Sequence, residues 1–429
     1  MREMKDSGVD VIKEIPITWS VVKTKYVADL YTGNSIKDEE KDYYTDSEDA
    51  IPYIATKDIT QSNNTIDYSN GLYVKEKDNS FVHAFPESSL MCIEGGSAGR
   101  KKAYLDREVC FVNKLCCFKP KNIKGKYLYY YLNSPNYEEE FRQYISGLIG
   151  GVSKSKLDNI FIVEPDSDEQ EKIVDYLDRK CSAIDNIIAK QEQIIEKLKE
   201  YKLSIITEAV TKGLDPDVEM KDSGVEWIGK IPASWKIFRI SNLYDQTAEA
   251  GSEELPILTV SINTGISDRE LDDEEQDRVF VRSEDRTKYK KVRPGDLAYN
   301  MMRAWQGAFG AARVDGMVSP AYVTCRPKRG VQIDTRYIEY LLRTPIATEE
   351  MHRYSHGIAD FRMRLYWPEF KNIRLCLPNL SEQKAMADYL DMKGTAIDKT
   401  IHDRENAIEK LNAYKKSLIY EVVTGKKEV

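Results

Sequence analysis

Two long stretches of this chain carry the same hydrophobic pattern. From residue 169 to 212, and again from 382 to 423, apolar side chains return every three or four positions with charged side chains between them. Neither stretch contains proline, so both predict uninterrupted helices. The narrow apolar stripe is typical of a coiled-coil seam. The predicted seam residues are Leu177, Ile184, Ile188, Gln191, Ile195, Leu198 and Ile205 in the first helix and Leu390, Ile397, Ile401, Arg404, Ile408, Leu411 and Leu418 in the second.

A helix with one apolar seam needs a partner, and each long helix is the simplest partner for the other. About 44 residues make a rod of about 65 Å. The globular segment between the helices allows an antiparallel pair with pseudo-two-fold symmetry. Gln191 and Arg404 interrupt the seams at equivalent positions, where a polar residue fixes the register of a pair at some cost in stability. The alternative is that each helix packs only on its own domain.

The ends of the two helices are also predicted by residue type. Asp168 and Ser381 are suitable N-caps, because their short side chains can accept hydrogen bonds from free backbone N–H groups. Gly213 and Gly425 suit the C-terminal ends, where the backbone often takes a positive φ.

The chain contains two copies of one module. The hexapeptide Met4–Val9 recurs as Met220–Val225, and the helical segments match in the same way. Repeats of solenoid proteins are only about 20–50 residues long, so this repeat is a whole domain with its helix. The segments 20–157 and 236–370 have diverged, which predicts related tasks on different targets. The alternative is an old duplication that drifted without functional consequence.

The diverged segments predict α+β domains with a β-rich centre. Their apolar runs are short and are bounded by turn residues, as in strands. The predicted strands are 51–54, 90–93 and 114–118 in the first copy and 255–258, 296–299 and 321–325 in the second, and the predicted short helices are 127–132 and 337–342. The predicted domain division is 1–166, 167–213, 214–379 and 380–429, in which the second and fourth segments are the long helices with, in the fourth, a short tail.

Composition narrows the class of protein. The 429 residues carry a formal charge of −8, with seven cysteines and 41% hydrophobic residues. The cysteines form no Cys-X-X-Cys pair, and residues 1–10 lack the apolar region of a signal peptide, so we expect reduced thiols and a cytoplasmic protein. No apolar run is long enough for a membrane span, so we expect no membrane partner. An acidic chain can bind DNA only through local basic surfaces.

Basic side chains do cluster, in residues 100–126 and 303–329. The first cluster follows a glycine-rich turn whose backbone N–H groups could lie near phosphates. The loops before the two long helices, residues 150–156 and 359–365, are predicted to match each other, and each carries two alternating bases. The guanidinium groups of the second loop can read guanine in a bidentate way. The candidate DNA-contacting residues are Lys57, Arg100, Lys101, Lys102, Lys154, Lys156, Arg303, Trp305, Arg313, Arg362 and Arg364.

The sequence offers no catalytic motif. The glycine run lacks the Lys-Ser/Thr of a phosphate-binding P-loop. The Asn/Asp-Pro-Pro-aromatic tetrapeptide of an adenine methyltransferase is absent, and His352 and His356 have no evident third metal ligand. We therefore expect a non-catalytic protein without a cofactor or metal of its own.

Taken together, these features resemble the DNA specificity (S) subunit of type I restriction–modification systems. The resemblance rests on the helical blocks Asp168–Gly213 and Ser381–Gly425, their Glu-Gln starts and the repeated Ile-Pro…Trp entries, and it spans nearly the whole chain. The globular parts resemble target-recognition domains mainly by position and by the turn Gly96–Arg100.

The resemblance implies an adaptor that reads an asymmetric, bipartite site on double-stranded DNA. The helix pair would set the spacing and dock two modification (methyltransferase) subunits, and restriction (motor-endonuclease) subunits would join them. S-adenosylmethionine, ATP and Mg²⁺ would act in those partners. Two alternatives are a self-contained DNA methyltransferase and a coiled-coil scaffold that binds proteins.

Overall fold

The computed structural model describes residues 2–61, 63–147, 150–271, 286–357 and 363–429. They form two compact units. The first unit comprises Met1–Gln193 with Arg404–Val429, and the second comprises Ile194–Asp403. The division falls within both long helices, so each unit contains one globular domain and a part of each long helix.

The helices follow the repeat along the chain. In chain order they are α1 (Thr24–Val27), α2 (Gly125–Leu132), α3 (Pro135–Gln143), α4 (Lys154–Leu157), α5 (Ser167–Lys212), α6 (Ile240–Leu243), α7 (Thr335–Leu342), α8 (Pro345–Arg353), α9 (Trp367–Phe370) and α10 (Leu380–Val423). The two long helices, α5 and α10, are as predicted, and α2 and α7 confirm the predicted short helices.

The strands of the first unit are β1 (Met4–Asp6), β2 (Glu14–Pro16), β3 (Ser20–Lys23), β4 (Ala28–Thr32), β5 (Ala50–Ile54), β6 (Tyr73–Lys75), β7 (His83–Ala84), β8 (Ser89–Cys92), β9 (Lys102–Tyr104), β10 (Val109–Phe111), β11 (Leu115–Pro120) and β12 (Phe161–Glu164). Those of the second unit are β13 (Met220–Asp222), β14 (Lys230–Pro232), β15 (Lys236–Arg239), β16 (Tyr244–Thr247), β17 (Val260–Ser261), β18 (Gly265–Ile266), β19 (Lys290–Val292), β20 (Leu297–Asn300), β21 (Phe309–Ala311), β22 (Gly316–Val318), β23 (Tyr322–Pro327) and β24 (Arg374–Leu377).

The central sheet has the same topology in both units. Its strand order is β4-β11-β8-β9 in the first unit and β16-β23-β20-β21 in the second, and all neighbours are antiparallel. The pairs β1–β2 and β3–β12 likewise recur as β13–β14 and β15–β24. The remaining strands differ: β6-β5-β10-β7 is one sheet with a parallel β5–β10 pair, whereas β17–β18 and β19–β22 are separate ladders in the described residues. The predicted α+β class is confirmed.

One predicted strand is wrong. Residues 255–258 form no strand, and Ile257 makes only an isolated parallel bridge to Met317. Pro256 has no N–H to donate to a ladder, which limits pairing on this segment. The other five predicted strands overlap β5, β8, β11, β20 and β23.

The core of each unit joins its globular domain to both long helices. In the first unit the buried cluster contains Trp19 and Tyr127 together with Leu177 of α5 and Leu418 of α10. In the second unit the cluster contains Trp235 and Tyr337 together with residues of both helices, such as Val210 and Leu390. Because apolar burial is the main stabilising term in folding, each domain is fastened to the helix pair chiefly by this core.

The long helices run antiparallel within each unit. In the first unit Arg404 Nη1 donates to Gln191 Oε1 at 2.6 Å, and Lys415 Nζ donates to Asp185 at 2.6 Å. In the second unit Lys202 Nζ donates to Asp398 at 2.7 Å. The order of contacts along α10 is therefore the reverse of the order along α5, as predicted. All predicted seam residues are buried or half-buried.

Both helix starts lie two residues before the predicted positions. The α5 N-cap is Asp166, whose Oδ1 accepts a hydrogen bond from Glu169 N at 2.9 Å, and the α10 N-cap is Asn379, which accepts from Glu382 N at 3.0 Å. Asp168 and Ser381 instead lie in the first turn of their helices. There the helix dipole favours the negative charge of Asp168. Gly213 and Gly425 end the helices with φ of +88° and +73°.

Candidate DNA interface

The Glu-Gln pair at the start of each long helix binds its globular domain through hydrogen bonds. The Trp19 indole N–H donates to Glu169, and the Trp235 indole N–H donates to Glu382 at 3.0 Å. Next to these glutamates, Gln170 accepts from Lys124 N at 2.8 Å, while its amide donates to Pro165 O at 2.9 Å. The second unit repeats this arrangement: Gln383 accepts from Asp334 N at 2.9 Å and donates to Pro378 O at 2.9 Å. The repeated tryptophan and Glu-Gln motifs therefore have a structural role.

A second repeated contact ties the short helix of each domain to the long helix behind it. Tyr130 OH donates to Asp178 at 2.6 Å, and Lys126 lies against the same carboxylate at 2.5 Å. In the second unit Tyr340 OH donates to Asp391 at 2.7 Å. Arg336 contacts that carboxylate at 2.9 Å. Burial and the neighbouring aspartate raise the pKa of Tyr340 well above its usual range, so the hydroxyl stays a donor.

The glycine-rich turn of the first unit joins β8 to β9 and packs against two other loops. Gly95 N donates to Gly150 O at 2.7 Å, which ties the turn to the loop before α4. Gly99 has φ +71°, and a Cβ there would lie 2.7 Å from the Phe141 ring, so both conformation and space require glycine. Lys101 Nζ donates to Thr56 O at 2.9 Å and so brings the exposed Lys57 beside the turn.

The equivalent turn of the second unit joins β20 to β21 and has different side chains. Arg303 Nε donates to Gln306 at 2.9 Å, and the Trp305 indole N–H donates to Met302 O at 3.1 Å. The Trp305 ring lies 5.5 Å from that of His352 on α8. Leu365 N donates to Met301 O at 2.8 Å, which places the exposed Arg364 next to this turn. The β8–β9 turn together with Lys57 forms what we name the first turn surface. The β20–β21 turn together with Arg364 forms the second turn surface.

The structure thus brings most predicted DNA-contacting residues to these two surfaces. The first turn surface holds Lys57, Arg100 and Lys101, and α4 next to it carries Lys154 and Lys156. Lys154 Nζ contacts Asp158 at 2.9 Å, and Lys156 Nζ donates to Tyr144 O at 3.4 Å. The second turn surface holds Arg303, Trp305 and Arg364. Arg362 lies outside the described residues.

Lys102 is a correction to the prediction. Its side chain is buried, and Nζ donates to Leu132 O at 2.7 Å and to Glu138 at 2.9 Å. Burial lowers the pKa of Lys102, and Glu138 opposes that shift. A lysine committed to the interior in this way cannot reach a phosphate, because removing it would leave Glu138 without this partner.

Arg313 lies in an ion pair behind the turn. Its guanidinium contacts Asp391 of α10 at 3.2 Å, in the same polar cluster as Arg336 and Tyr340. About half of its side chain is exposed, so the pair with Asp391 still leaves one edge facing solvent. Its role as a DNA contact stays a prediction.

The predicted match between Lys154/Lys156 and Arg362/Arg364 is wrong. The bridge Ser146–Gly151 has its equivalent in His356–Arg364, so Arg364 corresponds to Gly151. The counterpart of α4 is α9, which carries Trp367 and Glu369 at the positions of the two lysines. The loop between the two bridge partners is longer in the second copy. A match based on sequence spacing alone therefore paired residues that are not equivalent.

The described residues contain no cluster of three or more His, Cys, Asp or Glu side chains that could hold a metal ion. All seven cysteines are buried and free, and burial raises the pKa of Cys117 and Cys376 to about 11. Thiols in this state are structural side chains and not nucleophiles. Among the described helices, none is both long and apolar enough to cross a membrane.

Comparison with known proteins agrees with this architecture. A family model described as type I restriction modification DNA specificity domain matches residues 16–200, which cover the first globular domain and much of α5. The chain is 24% identical to the type I restriction enzyme MjaVIII specificity subunit of Methanocaldococcus jannaschii, over 96% of this chain and 93% of that protein. It is 20% identical to the EcoBI specificity subunit of Escherichia coli, over 99% of this chain and 89% of that protein.

The fold has a solved counterpart as well. A chain from a structural study of assembly and conformational transition in a type I restriction–modification system superposes with a TM-score of 0.68 at 13% identity, covering 96% of this chain and 99% of that one. The second half of our chain repeats the matched helices and sheet of the first half. Residues 16–200 therefore match a type I restriction modification DNA specificity domain, and nearly the whole chain is similar to type I restriction enzyme specificity subunits.

Proposed function

We propose that this chain reads a DNA site made of two different half-sites, one with each turn surface, within a complex that contains modification subunits. One observation carries the proposal: the two units share the contacts that hold domain to helix, yet they present different side chains on equivalent turns. The same frame with two different surfaces is what recognition of an asymmetric site requires.

The chemistry of the two surfaces supports different targets. The first surface offers Lys57, Lys101 and Arg100 beside the backbone N–H groups of a glycine-rich turn, a set that suits phosphates and sets orientation. The second offers Arg303 and Arg364, whose guanidinium groups suit the O6 and N7 acceptors of guanine. Trp305 beside them is a flat apolar side chain of the kind that stacks on bases. We therefore expect a guanine contact in the half-site read by the second unit.

The outer faces of the long helices support a second part of the proposal, which is the docking of two modification subunits. Tyr201 on α5 and Tyr414 on α10 occupy equivalent positions in the repeat, and each is 54% exposed. Exposed Lys197 and Lys410 precede them by one helical turn. Tyrosine is enriched at interaction hot spots, and two equal surfaces suit two copies of one partner. S-adenosylmethionine would act in those partners, and ATP and Mg²⁺ in restriction subunits that join them.

A domain exchange tests the reading of half-sites. Residues 20–157 are replaced by the equivalent segment of another specificity subunit, and the methylated sites of a host carrying the complex are sequenced. We expect one half-site to change and the other to stay. Replacing residues 236–370 is the matched control and should change the other half-site. A change at both half-sites with either exchange, or at neither, contradicts the proposal.

Docking is tested by Tyr201→Ala and Tyr414→Ala. Each variant alone should weaken the binding of one modification subunit, so that native mass spectrometry shows complexes with one such subunit in place of two. The control is Tyr43→Ala, since Tyr43 is 83% exposed but lies in a short 3₁₀ helix of the first domain. Complexes that keep both subunits in the double variant would show that the docking surface lies elsewhere.

A further inference from the structure

A cleft of about 680 Å³ opens in the first unit between the glycine-rich turn, the short helices α2 and α3, and the long helices. It lies directly beside the first turn surface and shares Arg100 with it. Sites for small molecules commonly have volumes of about 300–1,000 Å³. The cleft is therefore large enough for a ligand of the size of one nucleotide.

The lining of the cleft has an excess of positive charge. Its two acidic side chains are already engaged, because Asp185 binds Lys415 at 2.6 Å and Glu138 binds the buried Lys102 at 2.9 Å. Three further cations line the cleft: Arg100, Arg142 and Lys416. Arg142 and Lys416 make only long ion pairs, of 3.8 Å to Glu139 and 3.6 Å to Glu138. An anionic ligand would find three exposed cations in the lining of the cleft.

The other lining groups suit a nucleobase. Asn64 Nδ2 donates to Asn133 Oδ1 at 2.9 Å, and Asn133 in turn donates to Tyr129 O at 2.8 Å, so the two amides are held in fixed positions. Side-chain amides pair with the hydrogen-bonding edges of bases. The half-buried Tyr129 ring and the 40% exposed Ile145 supply apolar surface. Cations, ordered amides and an aromatic ring together are the recognition chemistry of a nucleoside phosphate.

We propose that this cleft binds one nucleotide, with its phosphate at Arg100, Arg142 and Lys416 and its base at Asn64, Asn133 and Tyr129. A free mononucleotide and a nucleotide extruded from a duplex share this chemistry. Extrusion requires one base to be unpaired and unstacked, and it is used by proteins that need access to a base. For the extruded source only, the inference rests on the proposed function, since the DNA must lie on the first turn surface.

The second unit carries different residues at the equivalent positions. Glu339 and Arg343 replace Tyr129 and Asn133, and they contact each other at 3.0 Å. Arg343 also donates to Ile262 O at 3.3 Å. Leu203 stands where the first unit has Lys416. The nucleotide-binding chemistry is therefore particular to the first unit, and the second unit supplies substitutions that this fold already tolerates.

The test uses the purified full chain and the double variant Arg142→His with Lys416→Leu, which copies the residues of the second unit. The matched control is Leu203→Lys with His352→Arg, which adds the same two cations to the second unit. Binding of deoxyadenosine monophosphate is measured by equilibrium dialysis. Extrusion of a base is measured by 2-aminopurine fluorescence. Each duplex of the set carries the probe at one position of the site, and the methylated adenine is not replaced. Thermal unfolding verifies that both variants are folded.

We expect the wild-type chain and the control to give at least one of two signals. One is binding of the mononucleotide, and the other is an increase in 2-aminopurine fluorescence at one position of the site. Mononucleotide affinity should fall about tenfold or more in the cleft variant, because two charge-assisted contacts are lost. The fluorescence increase should likewise disappear. Binding without fluorescence identifies a free nucleotide as the ligand, and fluorescence identifies the extruded one.

Three results would overturn the inference. One is the absence of both signals in the wild-type chain. Another is a pair of signals that the cleft variant leaves unchanged. The third is that a polyglutamate peptide, added as an acidic competitor, binds in the cleft and is not displaced by the mononucleotide. If any of these occurs while the methylated half-sites are unaltered, the cleft proposal fails and the proposed function stands. A domain exchange that changes both methylated half-sites, or neither, would instead contradict the proposed function.

Discussion

The two units of this chain differ in a consistent way: their contacts to the long helices match, and their turns do not. The tryptophan–glutamate pair, the glutamine at each helix start and the tyrosine–aspartate pair occur in both units. The loop between β8 and β9 contains three glycines, Arg100 and Lys101, whereas that between β20 and β21 contains Arg303 and Trp305.

This contrast separates two requirements that act on the same domain. Contacts to the helices must keep each domain in one orientation, so a polar pair buried at that boundary is costly to change. A turn that faces a ligand has no such internal partner and is free to vary. The duplicated chain therefore contains its own control, since each residue that has a counterpart can be compared with it.

The largest expected effect concerns the spacing of the half-sites. Helix α5 is uninterrupted and contributes residues to both units. Inserting four residues after Gln191 adds about 6 Å of helix. We expect the methylated sites to keep both half-sites and to change the number of base pairs between them. Glu192→Ala, an exposed substitution without insertion, is the control. An unchanged gap would exclude a spacing role for the helix.

The next expected effect distinguishes the two turn surfaces. Arg303→Ala should relax specificity in one half-site only, at a cost of about 1–3 kcal/mol in binding if the guanidinium contacts a base. Arg100→Ala should affect only the other half-site. Methylation of a library of sites reports both variants, with Arg107→Ala as the control, because that exposed arginine pairs with Asp106 away from the turn. Equal losses at both half-sites would contradict the assignment of one surface to each half-site.

A third prediction compares the tryptophan–glutamate pairs. Trp235→Phe removes the donor to Glu382 and should lower the free energy of unfolding by about 1.5–3 kcal/mol, the range for hydrogen bonds to charged groups. Trp19→Phe should cost less, because Arg2 also contacts Glu169 and remains as a partner. Urea unfolding measures both. Glu382→Gln, which keeps an acceptor, is the control, and equal losses for the two tryptophans would refute this difference.

A fourth expected effect is a pH dependence. Burial raises the pKa of Glu140 to about 7, while its carboxylate accepts from Phe161 N at 3.3 Å. The unfolded chain releases this proton near its ordinary pKa of 4.5, so the contribution of Glu140 to stability falls as pH rises from about 4.5 to about 7 and is constant above that. Glu140→Gln should make the urea midpoint of unfolding less dependent on pH across this window.

Its counterpart Glu350 provides the comparison for that measurement. Burial raises the pKa of Glu350 as well, but Arg353 at 3.5 Å opposes the shift. Glu350→Gln should therefore change the pH profile less than Glu140→Gln. A larger change from Glu350→Gln would contradict the role given to Arg353.

Much of the fold could be predicted because the chain repeats itself. The seam pattern placed α5 and α10, and the polar interruption at Gln191 and Arg404 corresponds to a direct contact between those residues in the structure. The loops were harder. The predicted match of Lys154 with Arg362 failed, because a longer loop shifts the register and only the bridge between His356 and Arg364 shows where equivalence resumes.

By itself, the amino-acid sequence determined the duplication, the two helices and their pairing, and the resemblance to a family, since all of these depend on periodicity and identity along the chain. The tertiary structure decided which basic side chains face solvent. Lys102 follows two basic residues in the sequence, yet its side chain is buried. Its Nζ donates hydrogen bonds to Leu132 O of α2 and to Glu138 of α3. It also decided where the cleft lies, since that cavity is bounded by segments far apart in the chain. Burial and enclosure arise from such distant contacts, and local sequence does not encode them.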